Sequence, residues 1–309
     1  MIEFKNVKLN IKNIDVCNDV SFKIENNTTS CFLGNKNAGK SSILKMLAGV
    51  YKNYFGEIII NGVDLDYNKD VRIDLAHDNV EKDKNLTTND YLEFYGSIYD
   101  RMQKKELDDF IDKKLRDFSL MSYKHTNLNL LDKETFKLID IIRVLINDPD
   151  IILFDNLFFS DSVEYRETVT SFLNSIQHKK TIIFASRNLN NLENFVDNIG
   201  VIERGVLIEF GKKNDVFKKA NILQRIEVEV IGDIESAINV LEGDERVINM
   251  IFDRNVIVFS IANENYSLTE KNIKNIEYDL LKKLIDRGVK VNSFKTQLAK
   301  FSELFMETQ

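Results

Sequence analysis

Gly34-Asn35-Lys36-Asn37-Ala38-Gly39-Lys40-Ser41-Ser42 follows the apolar strand pattern Ser30-Cys31-Phe32-Leu33 and precedes the helical run Ile43-Leu44-Lys45-Met46-Leu47. The pattern G-x-x-x-x-G-K-[ST] between strand and helix is a phosphate-binding loop. Successive backbone N–H groups wrap the terminal phosphates, Lys40 supplies a point charge, Ser41 can ligate magnesium, and the helix N-terminus adds its dipole. The loop implies nucleotide binding and an α/β unit around it.

Working outward, the first part reads as strands Ile2–Leu9, Val20–Ile24 and Thr29–Leu33, the loop and its helix, then strand Gly56–Ile60 closing at the turn Asn61-Gly62. From about 79 to 146 helical periodicity marks an inserted helical subdomain. Tyr91, Phe94, Tyr95, Ile98 and Tyr99 share one face, read as core, followed by Phe110, Ile111 and Leu115. The strand Ile151–Phe154 ending in Asp155, a helix over Glu164–Ile176, the strand Thr181–Ala185, and strands Ile199–Glu203 and Val206–Phe210 come next. Short apolar runs alternating with helices predict a largely parallel sheet buried on both faces. The rhythm shifts near 218–221. Residues 1–219 are therefore taken as the nucleotide-binding domain and 220–309 as a small α/β domain. In the latter we expect strand Gln224–Ile231, helix Asp233–Leu241, strands Val247–Phe252 and Val256–Ile261, helix Ile276–Asp286 and a final helix Leu298–Met306.

The chain has 309 residues, 43% hydrophobic and 29% charged, a composition that supports two soluble domains. Its net charge of −7 argues against a nucleic-acid partner. Cys17 and Cys31 stand at apolar positions and imply no disulfide framework, which fits a reducing compartment. The chain opens Met-Ile-Glu-Phe-Lys without a leader-like apolar region, and its apolar runs are too short to span a bilayer, so a membrane role needs a partner. His77, His125 and His178 show no metal spacing.

Asp19-Val20-Ser21-Phe22, the loop itself, the stretch Gly56 to Gly62, the stretch Asp148 to Asp155, and Ile202-Glu203-Arg204-Gly205 together resemble the ATP-binding subunits of ABC transporters, over roughly the first seven-tenths of the chain. The resemblance implies a P-loop NTPase fold of ABC type, a mixed sheet core with an inserted helical subdomain, plus the small α/β carboxy-terminal domain. The segment ending Phe301-Ser302-Glu303-Leu304-Phe305-Met306 is similar to an accessory domain found in some bacterial export systems of the ABC-2 type. The family's arrangement further implies ATP and Mg²⁺ as cofactors, an integral membrane permease partner, and a second ATP-binding subunit, a heterodimer rather than a homodimer. It places the chain in the cytoplasm, peripheral to the inner face of the cell membrane.

Several positions depart from the family's pattern. Asp155 matches its magnesium-holding carboxylate, with Ser41 as the other magnesium residue. The next position, a glutamate that polarises water in the family, is Asn156, and an amide cannot act as base. Assistance worth about 10²–10⁴-fold is lost. The switch histidine position is Arg187, which can neutralise a γ-phosphate but cannot shuttle a proton. The signature that faces the opposite nucleotide aligns with Leu131-Asp132-Lys133-Glu134-Thr135. Here two carboxylates would face a phosphate, each repulsion on the order of 4 kcal/mol at about 4 Å and an effective dielectric near 20, partly offset by Lys133. The magnesium-sensing glutamine aligns with Asp78, a carboxylate that can approach the ion or serve as a solvated loop acid. The adenine-stacking aromatic aligns with Ile11, a loss of roughly 1–3 kcal/mol of stacking. Asn37 replaces a loop glycine, and Asn tolerates the left-handed region. Lys36 adds a second cation near the phosphates or faces solvent.

These residues imply a transport subunit that binds Mg-ATP with impaired or absent hydrolysis. A non-transporting regulatory or assembly module is the alternative. A third reading, a working ATPase, takes its base from Asp78 or Asp161.

Overall fold

The strands Thr29–Leu33 and Ile151–Phe154 read as unbroken apolar runs because both of their faces are covered. In the computed structural model every residue of the strands Thr29–Leu33 and Ile151–Asp155 is buried. The structure describes residues 1–78, 82–83, 85–187, 189, 191–219, 224–261 and 270–298. It divides into two units, Met1–Lys213 and Asn214–Gln309.

In chain order the first unit holds β1 (Ile2–Ile11), β2 (Ile14–Ile24), β3 (Thr29–Leu33), α1 (Lys40–Leu47), β4 (Phe55–Ile60), β5 (Val63–Asp64), β6 (Ile73–Ala76), α2 (Thr88–Tyr99), α3 (Lys104–Asp117), α4 (Lys133–Ile146), β7 (Ile151–Asp155), α5 (Val163–Ile176), β8 (Thr181–Ser186), β9 (Asn198–Glu203) and β10 (Val206–Lys212), with α6 (Lys213–Lys219) beginning at the division. One sheet has the order β2-β1-β4-β5 and is antiparallel. The other runs β10-β9-β3-β8-β7-β6 and is parallel except at β9–β10. The helices α2, α3 and α4 are inserted between β6 and β7, the mixed sheet core with a helical insertion that the sequence leads one to expect.

Alternation along β1 buries Ile2, Phe4, Val7 and Leu9. The step from Phe4 to Val7 breaks the period of two because the register shifts there, at Asn6 with φ 48°. The buried residues of β1 and β2 face β3 and α1, with Phe4 stacked on Phe22 at 4.3 Å between ring centroids.

In the helical subdomain α2 starts with a capping box, Thr87 and Asp90 satisfying each other's backbone N–H. The expected aromatic stripe is only partly core. Tyr91 is buried and Tyr95 and Tyr99 are half-buried, whereas Phe94 and Ile98 are 53% and 57% exposed. The cause is the side of α2 that meets α3 and α4: Tyr91, Leu92 and Gly96 turn inward, and a Cβ on Gly96 would lie 2.3 Å from Leu107. On α3 the inward residues are Leu107, Ile111 and Leu115, with Phe110 half-buried.

The strand β6 interrupts its apolar run with Asp74, which is buried. Arg143 of α4, 4% exposed, meets it at 2.7 Å and meets Asp140 at 2.7 Å, while its remaining nitrogen donates to the Leu75 carbonyl at 2.6 Å. Tyr99 donates to Asp74 at 2.6 Å, and Tyr91 donates to Asp140 at 3.1 Å. Burial opposes the guanidinium's charge, but Asp140 and Asp74 outweigh it and raise its pKa further. This satisfied network ties α2 and α4 to the edge strand of the parallel sheet.

The second unit contains β11 (Gln224–Ile231), α7 (Ile234–Glu242), β12 (Val247–Asp253), β13 (Val256–Ile261), α8 (Glu270–Asp286) and β14 (Lys290–Leu298). Its sheet has the order β12-β13-β11-β14, all antiparallel, a split β-α-β arrangement. Ile226, Val228, Val230, Ile257 and Phe259 pack on Ala237, Leu241, Leu280 and Leu284 of the two helices. The expected final helix began at Leu298, which instead closes β14, and the remainder of that helix lies outside the described residues. Asp244, buried after α7, accepts from Arg246 at 2.8 Å and from Lys283 of α8 at 2.6 Å.

Two outcomes follow for stability. Replacing Arg143 with Leu strands Asp74 and Asp140 in the interior and costs about 3–5 kcal/mol, read as a lowered denaturant midpoint for the first unit. A loss under about 1 kcal/mol would mean that the network contributes little. In the second unit the bond from Arg246, opposed by burial and reinforced by Lys283, holds the Asp244 carboxyl far below its ordinary value. A depressed folded-state pKa adds stability above the unfolded value of about 3.9 and loses it as pH falls toward the folded one. Asp244→Asn therefore lowers stability by about 1–2 kcal/mol at neutral pH, and the gap to wild type shrinks below about pH 4. A gap unchanged between neutral pH and about pH 3 would contradict the assignment.

Candidate functional site

The loop after β3 is clamped from two sides. A Cβ on Gly34 would lie 2.1 Å from the Ile202 carbonyl oxygen, so only glycine fits against β9 there. Gly39, at φ +107°, faces the Val16 carbonyl at 2.5 Å from an ideal Cβ position and is the N-cap of α1. The turn at Gly205 completes the clamp: its N–H donates to the Ala38 carbonyl at 3.0 Å, and its carbonyl accepts from the Asn18 N–H at 2.8 Å. The motif Ile202–Gly205, legible in the sequence only as a family feature, thus has a mechanical role. Asn37 adopts φ 65°, the left-handed conformation expected of it, and Lys36, like Asn35, is exposed.

No side chain caps α1, which leaves its leading end without a built-in acceptor. Lys40, 8% exposed, folds over the loop and donates to the Gly34 and Asn35 carbonyls at 2.7 Å each. Burial pulls its pKa down to about 8 against the opposing attraction of Asp155, and Arg187 adds repulsion. An ammonium so short of negative charge gains from an anionic ligand. Arg187 itself is exposed, directly after β8. Ile11 ends β1 half-buried against the core around β1–β3, and it offers an aliphatic surface where the family has a ring.

Ser41 donates to Asp155 Oδ1 at 2.9 Å. Burial raises the Asp155 pKa, countered chiefly by that hydroxyl and by Lys137. The donor set here is a hydroxyl and carboxylates, all hard oxygens. Among the described residues no three His, Cys, Asp or Glu side chains form a metal cage. Such a set fits Mg²⁺, which keeps water and takes one or two carboxylates beside substrate phosphates. Ser41 and Asp155 would hold it, and the ion would neutralise charge on the phosphates.

Asn156, at φ 51°, donates from Nδ2 to Asp78 Oδ1 at 3.1 Å. Lys133 reaches the same carboxylate oxygen at 3.3 Å. The structure therefore brings Asp78, placed by β6, against the residue that follows Asp155. Asp161 does not join them: it is fully exposed and pairs with Arg166.

The segment Leu131–Thr135 is satisfied within the chain. Asp132 caps α4, accepting from the Thr135 N–H at 2.7 Å and its hydroxyl at 2.8 Å. Partial burial pushes the Asp132 pKa up, but the Thr135 bonds, with those from the Glu134 and Asp132 amides, leave it below its usual value. Glu134 accepts from Ser160. Lys133 sits 4.4 Å above the Phe159 ring, and Lys82 donates to the Leu131 carbonyl at 2.5 Å. The two carboxylates expected to face a phosphate thus carry intramolecular bonds, one of them spent on its own helix N-terminus.

Sequence reading missed Lys137. It lies within the apolar run of α4, 2% exposed, and donates to the carbonyls of Asp155 at 2.9 Å, His77 at 2.5 Å and Ala76 at 3.3 Å. Burial lowers its pKa to about 8 against Asp140, Asp78 and Asp155. The available signal was a lysine between Phe136 and Leu138 where helical periodicity calls for core.

Residues 17–158 match the family model described as ABC transporter. An uncharacterized ABC transporter ATP-binding protein of Methanocaldococcus jannaschii is 26% identical over 213 residues, 69% of this chain and 78% of that protein. The ABC transporter ATP-binding protein NatA of Bacillus subtilis is 24% identical over 213 residues, 67% of this chain and 86% of that protein. A dimeric ATP-binding cassette solved in a post-hydrolysis state with ADP and Pi superposes with a TM-score of 0.60 at 20% identity, covering 69% of this chain and 98% of that one. Together with the clamped loop and the Ser41–Asp155 contact, these matches make the amino-terminal part of the chain similar to ABC transporter ATP-binding proteins and give it the P-loop NTPase fold of ABC type.

Proposed function

We propose that this chain is the cytosolic ATP-binding subunit of an ABC export system, that it binds Mg-ATP, and that it hydrolyses it weakly or not at all. The observation that carries this reading is the pairing of a complete phosphate site with an amide in the base position. Ser41 and Asp155 meet at 2.9 Å under the loop, and Asn156 stands next to them. The relatives' descriptions as transporter ATP-binding proteins support the transport setting. No helix among the described residues is long and apolar enough to cross a membrane, so the reading requires an integral membrane permease. The second unit is the accessory domain in this proposal, and the chain works at the inner face of the membrane beside a second, more complete ATP-binding subunit.

A second reading, a working ATPase, is favoured by one contact. Asp78 lies 3.1 Å from the Asn156 amide and so could take the proton of an attacking water. Asp161 is too exposed and too engaged with Arg166 to compete.

Calorimetry on the full chain tests the binding: Mg-ATP binds wild type, and Lys40→Ala abolishes it. Steady-state hydrolysis separates the readings. Our proposal expects a wild-type rate close to that of Lys40→Ala. Turnover lost in both Lys40→Ala and Asp78→Ala would establish the second reading instead. The self-capped α4 gives a further outcome, that ATP does not drive the chain to pair with itself. Sedimentation with and without Mg-ATP checks it, and an ATP-dependent homodimer would overturn it.

A further inference from the structure

His77 leaves the end of β6 with both of its backbone groups held by α4. Its N–H donates to Asp140 Oδ2 at 3.1 Å, and its carbonyl accepts from Lys137 at 2.5 Å. Those two side chains lie one helical turn apart on α4. The pairing of β6 with β7 ends at Ala76 opposite Phe154, so no ladder bond joins His77 to Asp155 beyond it. Lys137 supplies the missing link. Its ammonium has three donors, and all three meet carbonyls, those of Ala76, His77 and Asp155. One of these residues carries the carboxylate that meets Ser41, and another immediately precedes Asp78.

A buried ammonium bound this way costs desolvation that a neutral core side chain would not incur. Its neighbours Phe136, Leu138 and Ile139 are buried apolar side chains, so the ammonium stands out in an otherwise apolar stretch of α4. Beside the Asn156–Asp78 bond between side chains, Lys137 ties together the backbones that bear Asp155 and Asp78. We propose that Lys137 is a positioning residue for the divalent cation: through the carbonyls of His77 and Asp155 it holds the Asp78 and Asp155 carboxylates at the spacing at which both can serve the ion or its waters. This inference rests on the reading of the site as one for Mg-ATP.

The test is calorimetry with ATP on the full chain, first in EDTA and then across a series of MgCl₂ concentrations, for wild type, Lys137→Met and Lys137→Gln. The expected result is that affinity for ATP in EDTA stays within about twofold of wild type, while the Mg²⁺ concentration giving half of the metal-dependent gain rises about tenfold in Lys137→Met, the range of a residue that orients metal ligands. Lys137→Gln keeps two N–H donors without the charge and falls between, and it decides the question where the Met variant does not fold. An unchanged Mg²⁺ requirement overturns the proposal, as does a parallel loss of affinity with and without the metal in both variants, since a merely structural prop would act on both. Failure of wild type to bind ATP under any condition sinks the Mg-ATP reading itself, a result distinct from either.

Discussion

Parallel pairing of β3, β8 and β7 is the constraint from which the site follows. The register sets Leu33 opposite Ser186 and Asp155 opposite Ala185, so the carboxyl ends of three strands finish at one edge of the sheet. The glycine-rich loop leaves one of them, the Asp155 carboxylate ends the second, and Arg187 follows the third. A ligand that needs a loop of amides, a carboxylate and a cation finds them together because the strands are buried on both faces and cannot slip. The antiparallel β1–β2 layer adds the backing: its Val16 carbonyl and Asn18 amide lock the loop at Gly39 and at Gly205.

The charges near the loop are arranged around absent negative charge. Lys40 is buried against carbonyls and crowded by Arg187, and its lowered pKa expresses a preference for an anion that the protein does not itself supply. Asp155 is the reverse case, a carboxyl whose pKa burial raises and a hydroxyl and the Lys137 ammonium partly lower, and a cation beside it would restore the balance. Each group is destabilised in its charged form in a way that Mg-ATP would repair, which is the electrostatic content of the functional reading.

The parts legible in the sequence were those governed by local rules. The loop, its flanking strand and helix, Asp155 at a strand end, and the left-handed Asn37 follow from spacing and backbone preference. What escaped reading depended on partners far along the chain. β6 is hidden because Asp74 breaks its apolar run, and the group that makes Asp74 tolerable, Arg143, lies on α4. Lys137 looks like a flaw in a core helix until the carbonyls of two distant strands are seen around it. On α2 the periodicity was correct and the face was not, because Gly96 and Leu107 decide which side turns inward.

The segment Leu131–Thr135 shows how one side chain organises a helix end. An N-terminus with glycines before it offers its amides and its dipole to whatever docks there. Asp132 takes the Thr135 amide for itself, so part of that end's capacity to attract an anion is satisfied before any partner arrives. The neighbouring side chains then find partners within the chain: Lys133 turns to Asp78 and the Phe159 ring, and Glu134 to Ser160. Repulsion between these carboxylates and any facing phosphate is thereby reduced. A helix end so satisfied keeps less of its amide and dipole capacity for an anion, whereas the leading end of α1, capped by no side chain, retains its own.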